Sequence, residues 1–232
     1  LYFSVKSNSN LAVLRVLSLL GSGMDVVSGG EYLRAQKAGV PGDKIVFSGV
    51  GKTHDEIKLA LSNGIRQFNV ESIPEIILIN KIAATIGKKA PISIRVNPDV
   101  DAQTHAKIMT GKLENKFGIP INSALEVYRI ASELNSINIV GIDLHIGSQI
   151  SDILPFEIAF LKIANFIKKL REEGHLIDRV DIGGGLGISY STKEKDPISI
   201  DKFSSMLDKT FNKMNLEIQL EPGRFISGNS GL

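Results

Sequence analysis

The sequence predicts a (β/α)8 barrel, and three observations lead to this fold class. Eight strand-like runs alternate with helix-like segments along the 232 residues, as in a parallel sheet built from βαβ units. The first four runs begin about 22 residues apart, the length of a short strand, a turn and a short helix. Several strands place apolar residues on one face and polar residues on the other. These features predict one barrel domain over residues 1–232.

The elements follow from periodicity and from turn residues. Apolar runs predict strands at 1–7, 24–28, 45–50, 67–72, 92–97, 140–147, 179–185 and 216–223. Helical spacing of apolar residues predicts helices at 10–20, 31–38, 54–63, 74–86, 123–134, 155–173 and 200–214. Thr53 and Ser72 are predicted N-caps, because their side chains can accept from the first free backbone N–H groups. No clear eighth helix is predicted.

The alternation within the strands predicts a polar barrel interior. Ile142 and Leu144 oppose Asp143 and His145, and the fifth and eighth strands alternate in the same way. In a barrel the apolar face packs against the outer helices, so the polar face points inward, where a purely structural barrel stacks Val, Ile and Leu. We therefore expect a polar group to be bound at the barrel mouth. A half-solvated antiparallel sheet is the alternative, which the intervening helices disfavour.

Composition excludes several classes of function. The 27 basic and 25 acidic residues give a net charge of +2, too balanced to predict a surface for nucleic acid or for an anionic membrane. The absence of Cys excludes disulfides, thiolate metal ligands and a cysteine nucleophile, and four scattered His argue against a zinc site. The apolar segment 11–20 contains Arg15 and is too short for a membrane span of about 20 residues. We expect a cytoplasmic protein without a bound metal.

Glycine-rich and charged motifs end the last two predicted strands. Residues 183–187 read Gly-Gly-Gly-Leu-Gly, and residues 221–224 read Glu-Pro-Gly-Arg. Barrels frequently bind a phosphate with the loops after strands seven and eight, where glycine lets backbone N–H groups approach an anion. A tight turn would explain the glycines alone, but their pairing with Arg224 favours a phosphate site. The long connections 98–119 and 186–198 are expected at the same face.

Lys6 is predicted at the end of the first strand, on the polar face. Most lysines simply lie on the surface, but a lysine at a barrel mouth suits Schiff-base chemistry. Opposite a phosphate-binding loop, it predicts pyridoxal phosphate, whose aldehyde requires a lysine. Glu221 is then placed to pair with the pyridine nitrogen. His145 is placed to lie against the ring, although a hydrogen-bonded core histidine is the commoner role.

Several motifs together resemble the diaminopimelate decarboxylase family, within the alanine-racemase-like, fold type III group of pyridoxal-phosphate enzymes. The resemblance is carried in order by residues 3–8 (FSVKSN), 24–28 (MDVVS), 145–149 (HIGSQ), 183–187 (GGGLG) and 221–224 (EPGR), and it includes 95–101 (RVNPDVD) and 115–118 (NKFG). Single motifs are shared with ornithine and arginine decarboxylases. The combination of HIGSQ, GGGLG and NKFG is typical of the diaminopimelate branch.

The resemblance implies a cofactor, a reaction and a set of residues. Lys6 and His145 would be catalytic, through the Schiff base and through stacking on the cofactor ring. The implied pyridoxal 5'-phosphate contacts are Lys6, Asp25, Arg95, His145, Ser148, Gly184, Gly185, Gly187, Glu221, Pro222, Gly223 and Arg224. Arg224 would also meet a substrate carboxylate. The reaction implied is decarboxylation of the amino acid meso-2,6-diaminopimelate to L-lysine, the last step of lysine biosynthesis.

The chain also departs from the family pattern. Phe3 and Ser7 stand where the family usually has Tyr and Ala. The family has residues before the barrel and a β-rich domain after it that carries a cysteine proton donor. We therefore expect a barrel fragment that holds the cofactor, decarboxylates poorly alone, and forms a homodimer in the full-length protein. The alternatives are a decarboxylase of ornithine, arginine or carboxynorspermidine, and a non-catalytic single-barrel carrier in pyridoxal-phosphate homeostasis.

Overall fold

The computed structural model describes residues 1–101, 117–191 and 197–230. Its strands are β1 Tyr2–Ser4, β2 Gly23–Val26, β3 Ile45–Phe47, β4 Gln67–Val70, β5 Ala90–Asn97, β6 Ile119–Pro120, β7 Ile137–Asp143, β8 Arg179–Asp181 and β9 Glu217–Gln219. Its helices are α1 Leu11–Leu19, α2 Gly29–Lys37, α3 His54–Ser62, α4 Ile73–Thr85, α5 Ile121–Ser132, α6 Leu154–Glu172, α7 Ile200–Phe211 and α8 Arg224–Ser227. The strands pair in parallel in the order β1-β2-β3-β4-β5-β7-β8-β9, and β6 pairs with β5.

The sheet closes on itself. The Tyr2 N–H donates to the Leu220 carbonyl (2.8 Å), and the Ser4 N–H donates to the Pro222 carbonyl (3.2 Å). These two bonds join β1 to the segment after β9. We call this junction, formed by residues 2–4 and 220–222, the seam. The parallel pairing and the closure confirm the predicted (β/α)8 barrel and exclude the antiparallel alternative for the described strands.

The predicted boundaries are wrong mainly at the carboxyl ends of the strands. β7 ends at Asp143 rather than at residue 147, and Lys6 lies in a 3₁₀ turn, Val5–Ser7, rather than in a strand. The short elements β6 and α8 were not predicted. The chain leaves extended geometry where loops begin, as at Gly183 with a φ of 65°. Two short stretches of the long connections, 102–116 and 192–196, lie outside the described residues, and so do Asn115 and Lys116 of the NKFG motif.

Side-chain caps mark the starts of five described helices, α1 to α4 and α7, whereas α5, α6 and α8 have none. Thr53 accepts from the Glu56 N–H and Ser72 accepts from the Glu75 N–H, which confirms both predicted caps. Ser28 caps α2 in the same manner by accepting from Glu31, so this helix begins two residues before the predicted start. None of the described helices has the length and hydropathy needed to cross a membrane.

The barrel interior is polar at the end that carries the loops. The Ser48 hydroxyl, after β3, donates to Glu221 Oε1 (3.4 Å), after β9, although these two strands are not neighbours in the sheet. Such a contact crosses the inside of the barrel. Phe3 and Met24 point the other way and pack in the apolar layer between sheet and helices. The predicted polar interior is confirmed.

Candidate active site

A cavity of about 320 Å³ opens at the carboxyl ends of the strands, next to the seam. This volume lies within the usual range for small-molecule sites. Its lining comprises Ser4, Lys6, Ser7, His145, Ser148, Gly183, Gly184, Gly185, Leu186, Phe203, Leu220, Glu221, Pro222, Gly223, Arg224 and Phe225. Nine of the twelve residues predicted to bind the cofactor are in this lining; Asp25, Arg95 and Gly187 are outside it.

Lys6 forms part of one wall, and Asp25 lies behind it. The Lys6 side chain is about half exposed, and its Nζ lies 4.0 Å from Asp25 Oδ2. Asp25 is buried, and the same oxygen accepts a hydrogen bond of 2.6 Å from the Ser4 hydroxyl. The Ser7 hydroxyl donates to the Ser4 carbonyl (2.7 Å) and holds the 3₁₀ turn. The turn therefore presents an amine to the cavity with a buried carboxylate at its back.

Glu221 forms the floor of the cavity. It is buried, and its Oε1 accepts from Asn69 Nδ2 (3.3 Å) and from the Ser48 hydroxyl (3.4 Å). Burial, reinforced by the negative charges of Asp181 and Asp25, raises the pKa of Glu221 well above its usual range. Once ionised, this carboxyl group would favour a cationic partner above it.

The turn after β8 formed by Gly183, Gly184 and Gly185, which we call the glycine turn, packs directly against the neighbouring backbone. A Cβ on Gly184 would lie 2.4 Å from the Glu221 carbonyl oxygen, and one on Gly185 would lie 2.5 Å from the Gly147 carbonyl oxygen. Gly185 also has a φ of 104°, which favours glycine. These positions admit no side chain, so the turn leaves a concave surface of main chain toward the cavity.

Gly187, which the sequence predicts as a cofactor contact, lies outside the lining of the cavity. Its N–H donates to the Ile150 carbonyl (3.0 Å), beyond the cavity, as part of a short pairing between the loops after β7 and β8. Gln149 strengthens this pairing, because its side chain donates to the Ile188 carbonyl (2.6 Å) and accepts from the Ile188 N–H (3.1 Å). Gly187 and Gln149 thus join the HIGSQ and GGGLG motifs to each other.

His145 lies in the wall as a neutral ring. Burial, together with the positive charges of Arg95 and Lys6, lowers the pKa of His145 to about 3. Its Nδ1 accepts from the Gly184 N–H at 3.4 Å, which assigns the ring proton to Nε2. An uncharged imidazole is suited to packing against another aromatic ring.

Arg95 is placed behind His145 rather than in the main cavity. It lines an adjoining pocket of about 170 Å³ that shares His145 with the main cavity. Its Nη1 donates to Glu71 Oε1 (2.8 Å), and its Nε lies 3.8 Å from Asp143 Oδ2. Glu71 also accepts from the Gly118 N–H (3.0 Å). Sequence reasoning missed Glu71, which only the parallel pairing of β4 with β5 brings beside Arg95.

The mouth of the cavity carries groups that can bind an anion. Arg224 is exposed there, where it hydrogen-bonds the Tyr190 hydroxyl and lies 5.8 Å from the centre of the Tyr190 ring. Ser148 is exposed at the rim. Tyr190, in the loop after β8, has no motif or periodicity around it that would mark it as part of the site.

The donor set fits pyridoxal 5'-phosphate. An amine on one wall, a buried carboxyl at the floor and a neutral imidazole beside them match an aldehyde, a basic ring nitrogen and an aromatic face. The concave main chain of the glycine turn and the Arg224 guanidinium suit a phosphate. Lys6, Glu221, His145 and Arg224 were all predicted from the sequence.

Comparisons with known proteins agree with this geometry. The family model described as "Pyridoxal-dependent decarboxylase, pyridoxal binding domain" matches residues 1–228. Diaminopimelate decarboxylase of Haemophilus influenzae is 50% identical over 99% of this chain and 55% of its own length, and that of Zymomonas mobilis is 45% identical with the same coverage. The solved structure of diaminopimelate decarboxylase from Helicobacter pylori complexed with L-lysine is 43% identical, with a TM-score of 0.89. It is matched over 96% of this chain and 56% of that one.

These matches confirm the family resemblance over the whole chain. The chain spans about half the length of the curated relatives that it matches.

Proposed function

The chain belongs to the pyridoxal-binding domain family of pyridoxal-dependent decarboxylases, and from this premise we propose that it forms the cofactor-binding part of an enzyme that converts meso-2,6-diaminopimelate to L-lysine. One observation carries the proposal. Lys6, Glu221 and the glycine turn line a single cavity in a chain that is similar to diaminopimelate decarboxylases along its whole length. In the reaction the bond to one carboxyl carbon breaks, carbon dioxide leaves, and a proton takes its place.

Lys6 is proposed to hold the cofactor through its amine and to give up that position to the substrate amine. When bound, pyridoxal 5'-phosphate supplies an aldehyde that condenses with amines and a ring that accepts the electron pair released as carbon dioxide leaves. The Lys6 amine is half exposed and faces the cavity, so a substrate amine can reach the same position. Asp25, 4.0 Å away and fixed by Ser4, would keep the displaced Lys6 ammonium in the cavity.

The floor and the walls are proposed to orient the ring. Glu221 would pair with the ring nitrogen and stabilise its protonated form, since an ionised carboxyl at a buried site favours a cationic partner. His145, neutral because of its burial, would pack on the ring face without adding charge. Arg95, in the adjoining pocket behind His145, would help to keep His145 neutral through its positive charge.

The phosphate and a substrate carboxylate are proposed to bind at the loops after β8 and β9. Main-chain groups of Gly184, Gly185, Pro222 and Gly223 surround this end of the cavity, with Ser148 at its rim. Arg224, at the mouth, carries the guanidinium best suited to a second carboxylate. Diaminopimelate has such a second carboxylate, whereas ornithine and arginine have none.

Cofactor binding and turnover test the proposal separately. In the full gene product, Lys6→Ala should abolish the visible absorption that develops with pyridoxal 5'-phosphate, while the matched control Lys58→Ala, at an exposed position of α3, should leave it unchanged. Carbon dioxide should be released from meso-diaminopimelate and not from ornithine or arginine. Release from ornithine or arginine alone would refute the substrate assignment. Cofactor binding with no release from any of them would favour the carrier alternative.

We further infer that the full protein is a homodimer that acts in the cytoplasm. Both points are supported by the family resemblance. Sedimentation of the loaded enzyme tests the assembly, and a fully active monomer would contradict it.

A further inference from the structure

Three buried carboxyls form a group: Glu221, at the floor of the cavity, with Asp143 and Asp181, which are outside its lining. One oxygen of each lies within 4.8 Å of an oxygen of the other two. We propose that Asp181 is a positioning residue for the site, which fixes the glycine turn by a hydrogen bond and controls the charge of Glu221. The inference rests on the proposed function, because the ring-nitrogen role of Glu221 is assigned there.

The first contact is mechanical. Asp181 is the last residue of β8 and is fully buried, and its Oδ1 accepts from the Gly183 N–H at 3.0 Å. Gly183 begins the glycine turn in the left-handed region, and its carbonyl accepts from the Glu221 N–H at 2.8 Å. One buried side chain therefore fixes the start of the turn, which in turn holds the backbone of the residue at the floor.

The second contact is electrostatic. Two carboxyls this close in a buried site resist double ionisation, because water cannot screen their repulsion. Burial raises the pKa of Asp181 to about 6, and Asp181 is the strongest charged contributor to the raised pKa of Glu221. Other groups face Glu221 from the surrounding strands: Asp25 and Asp143 add negative charge, and Lys6 opposes it.

Glu221 must lose its proton before it pairs with a cationic group, and an ionised Asp181 makes that loss harder. Asp181 thus sets the pH at which the floor of the cavity becomes an anion. Arg95 moderates the effect from the far side, where it lies 3.8 Å from Asp143.

Two substitutions separate the two contacts. Asp181→Asn keeps an oxygen that can accept from Gly183 and removes the charge, whereas Asp181→Ala removes both. The matched control is Asp178→Asn, because Asp178 is exposed and precedes β8. The experiments use the full gene product.

The ionisation of Glu221 is measured first, on protein without cofactor. Infrared difference spectra against Glu221→Gln follow the Glu221 carboxyl as the pH is changed. Asp181→Asn should lower the midpoint of Glu221 by about one pH unit, a tenfold change in proton affinity. Asp178→Asn should leave it unchanged. An unchanged midpoint in Asp181→Asn would refute the electrostatic part.

Affinity for pyridoxal 5'-phosphate is measured second, by fluorescence. Asp181→Asn should bind at least as tightly as wild type, and Asp181→Ala should bind about tenfold more weakly because the turn loses a buried hydrogen bond. Equal weakening in both variants would reduce Asp181 to a general structural role. If wild type does not bind the cofactor, the proposed function fails, while the Glu221 titration still decides the effect of Asp181. Should Asp181→Asn not fold, Asp181→Ser supplies a second uncharged acceptor.

Discussion

Gly184→Ala tests whether the close approach of the glycine turn to the last strand shapes the cofactor site. The added Cβ would lie 2.4 Å from the Glu221 carbonyl oxygen and 3.2 Å from its carbonyl carbon. Ordinary contact begins at 3.4 Å, so the two backbones must separate by about 1 Å. Gly184 does not have a positive φ, so alanine meets only this collision and no backbone strain.

The separation has a calculable cost. The Glu221 N–H donates to the Gly183 carbonyl at 2.8 Å, and a shift of this size weakens the bond that joins the turn to the floor. Overpacking of this kind typically costs about 1–3 kcal/mol. If the turn moves into the cavity, this cost reduces the free energy of cofactor binding. The Kd for pyridoxal 5'-phosphate should then rise about 10- to 100-fold.

Equilibrium binding in the full gene product provides the assay. Gly51→Ala is the matched control, because this glycine is exposed and a Cβ there meets nothing within 4 Å. Circular dichroism establishes that both variants are folded. A folded Gly184→Ala protein with wild-type affinity would show that the tight packing of the turn has no part in the site.

The remaining predictions concern hydrogen bonds and pH. Tyr128→Phe should lower the free energy of unfolding by about 1 kcal/mol, because its buried hydroxyl donates to a β7 carbonyl at 2.9 Å; Tyr32→Phe should be neutral or stabilising, since its buried hydroxyl has no partner among the described residues. Urea denaturation compares the two, and equal losses would contradict the assignment. Gln149→Ala should weaken cofactor binding about tenfold by removing two hydrogen bonds between the loops after β7 and β8, which calorimetry can measure. The folded-state pKa of Asp181 is raised to about 6, so wild-type protein without cofactor should lose stability as the pH rises from about 4 to 6 and then level off. Asp181→Asn should be more stable at pH 7, by up to roughly 3 kcal/mol, and melting temperatures across this range would disprove the point if both proteins showed the same slope.

The barrel was predictable because its signals are local. The spacing of strand-like runs and the capping residues Thr53 and Ser72 depend on neighbours within a few positions. The ends of the strands were less predictable. A strand ends where its backbone separates from that of the neighbouring strand, and this point depends on both segments. β7 illustrates this, since its first residues, 137–139, pair with β5 at 90–92 and carry no distinctive pattern of their own.

The site residues were predictable only where the residue type and its motif together indicate a chemical role. Lys6, Glu221 and Arg224 stand at strand ends in motifs, and alternation alone aims them at the mouth. Asp181 and Glu71 were not identified, because their importance depends on distances across or between strands. Arg95, predicted as a cofactor contact, pairs with Glu71, lies 3.8 Å from Asp143 and lines the pocket that adjoins the main cavity.

The seam has a consequence for folding and for ligand binding. Lys6, just after β1, and Glu221, just after β9, come from the two ends of the sheet's strand order. Among the described residues, two backbone hydrogen bonds, donated by the Tyr2 and Ser4 N–H groups, join those ends. A partly folded chain with an open seam would hold Lys6 and Glu221 apart. A ligand that binds only the closed barrel stabilises that form by mass action. The cofactor would therefore stabilise the closed barrel against opening at the seam.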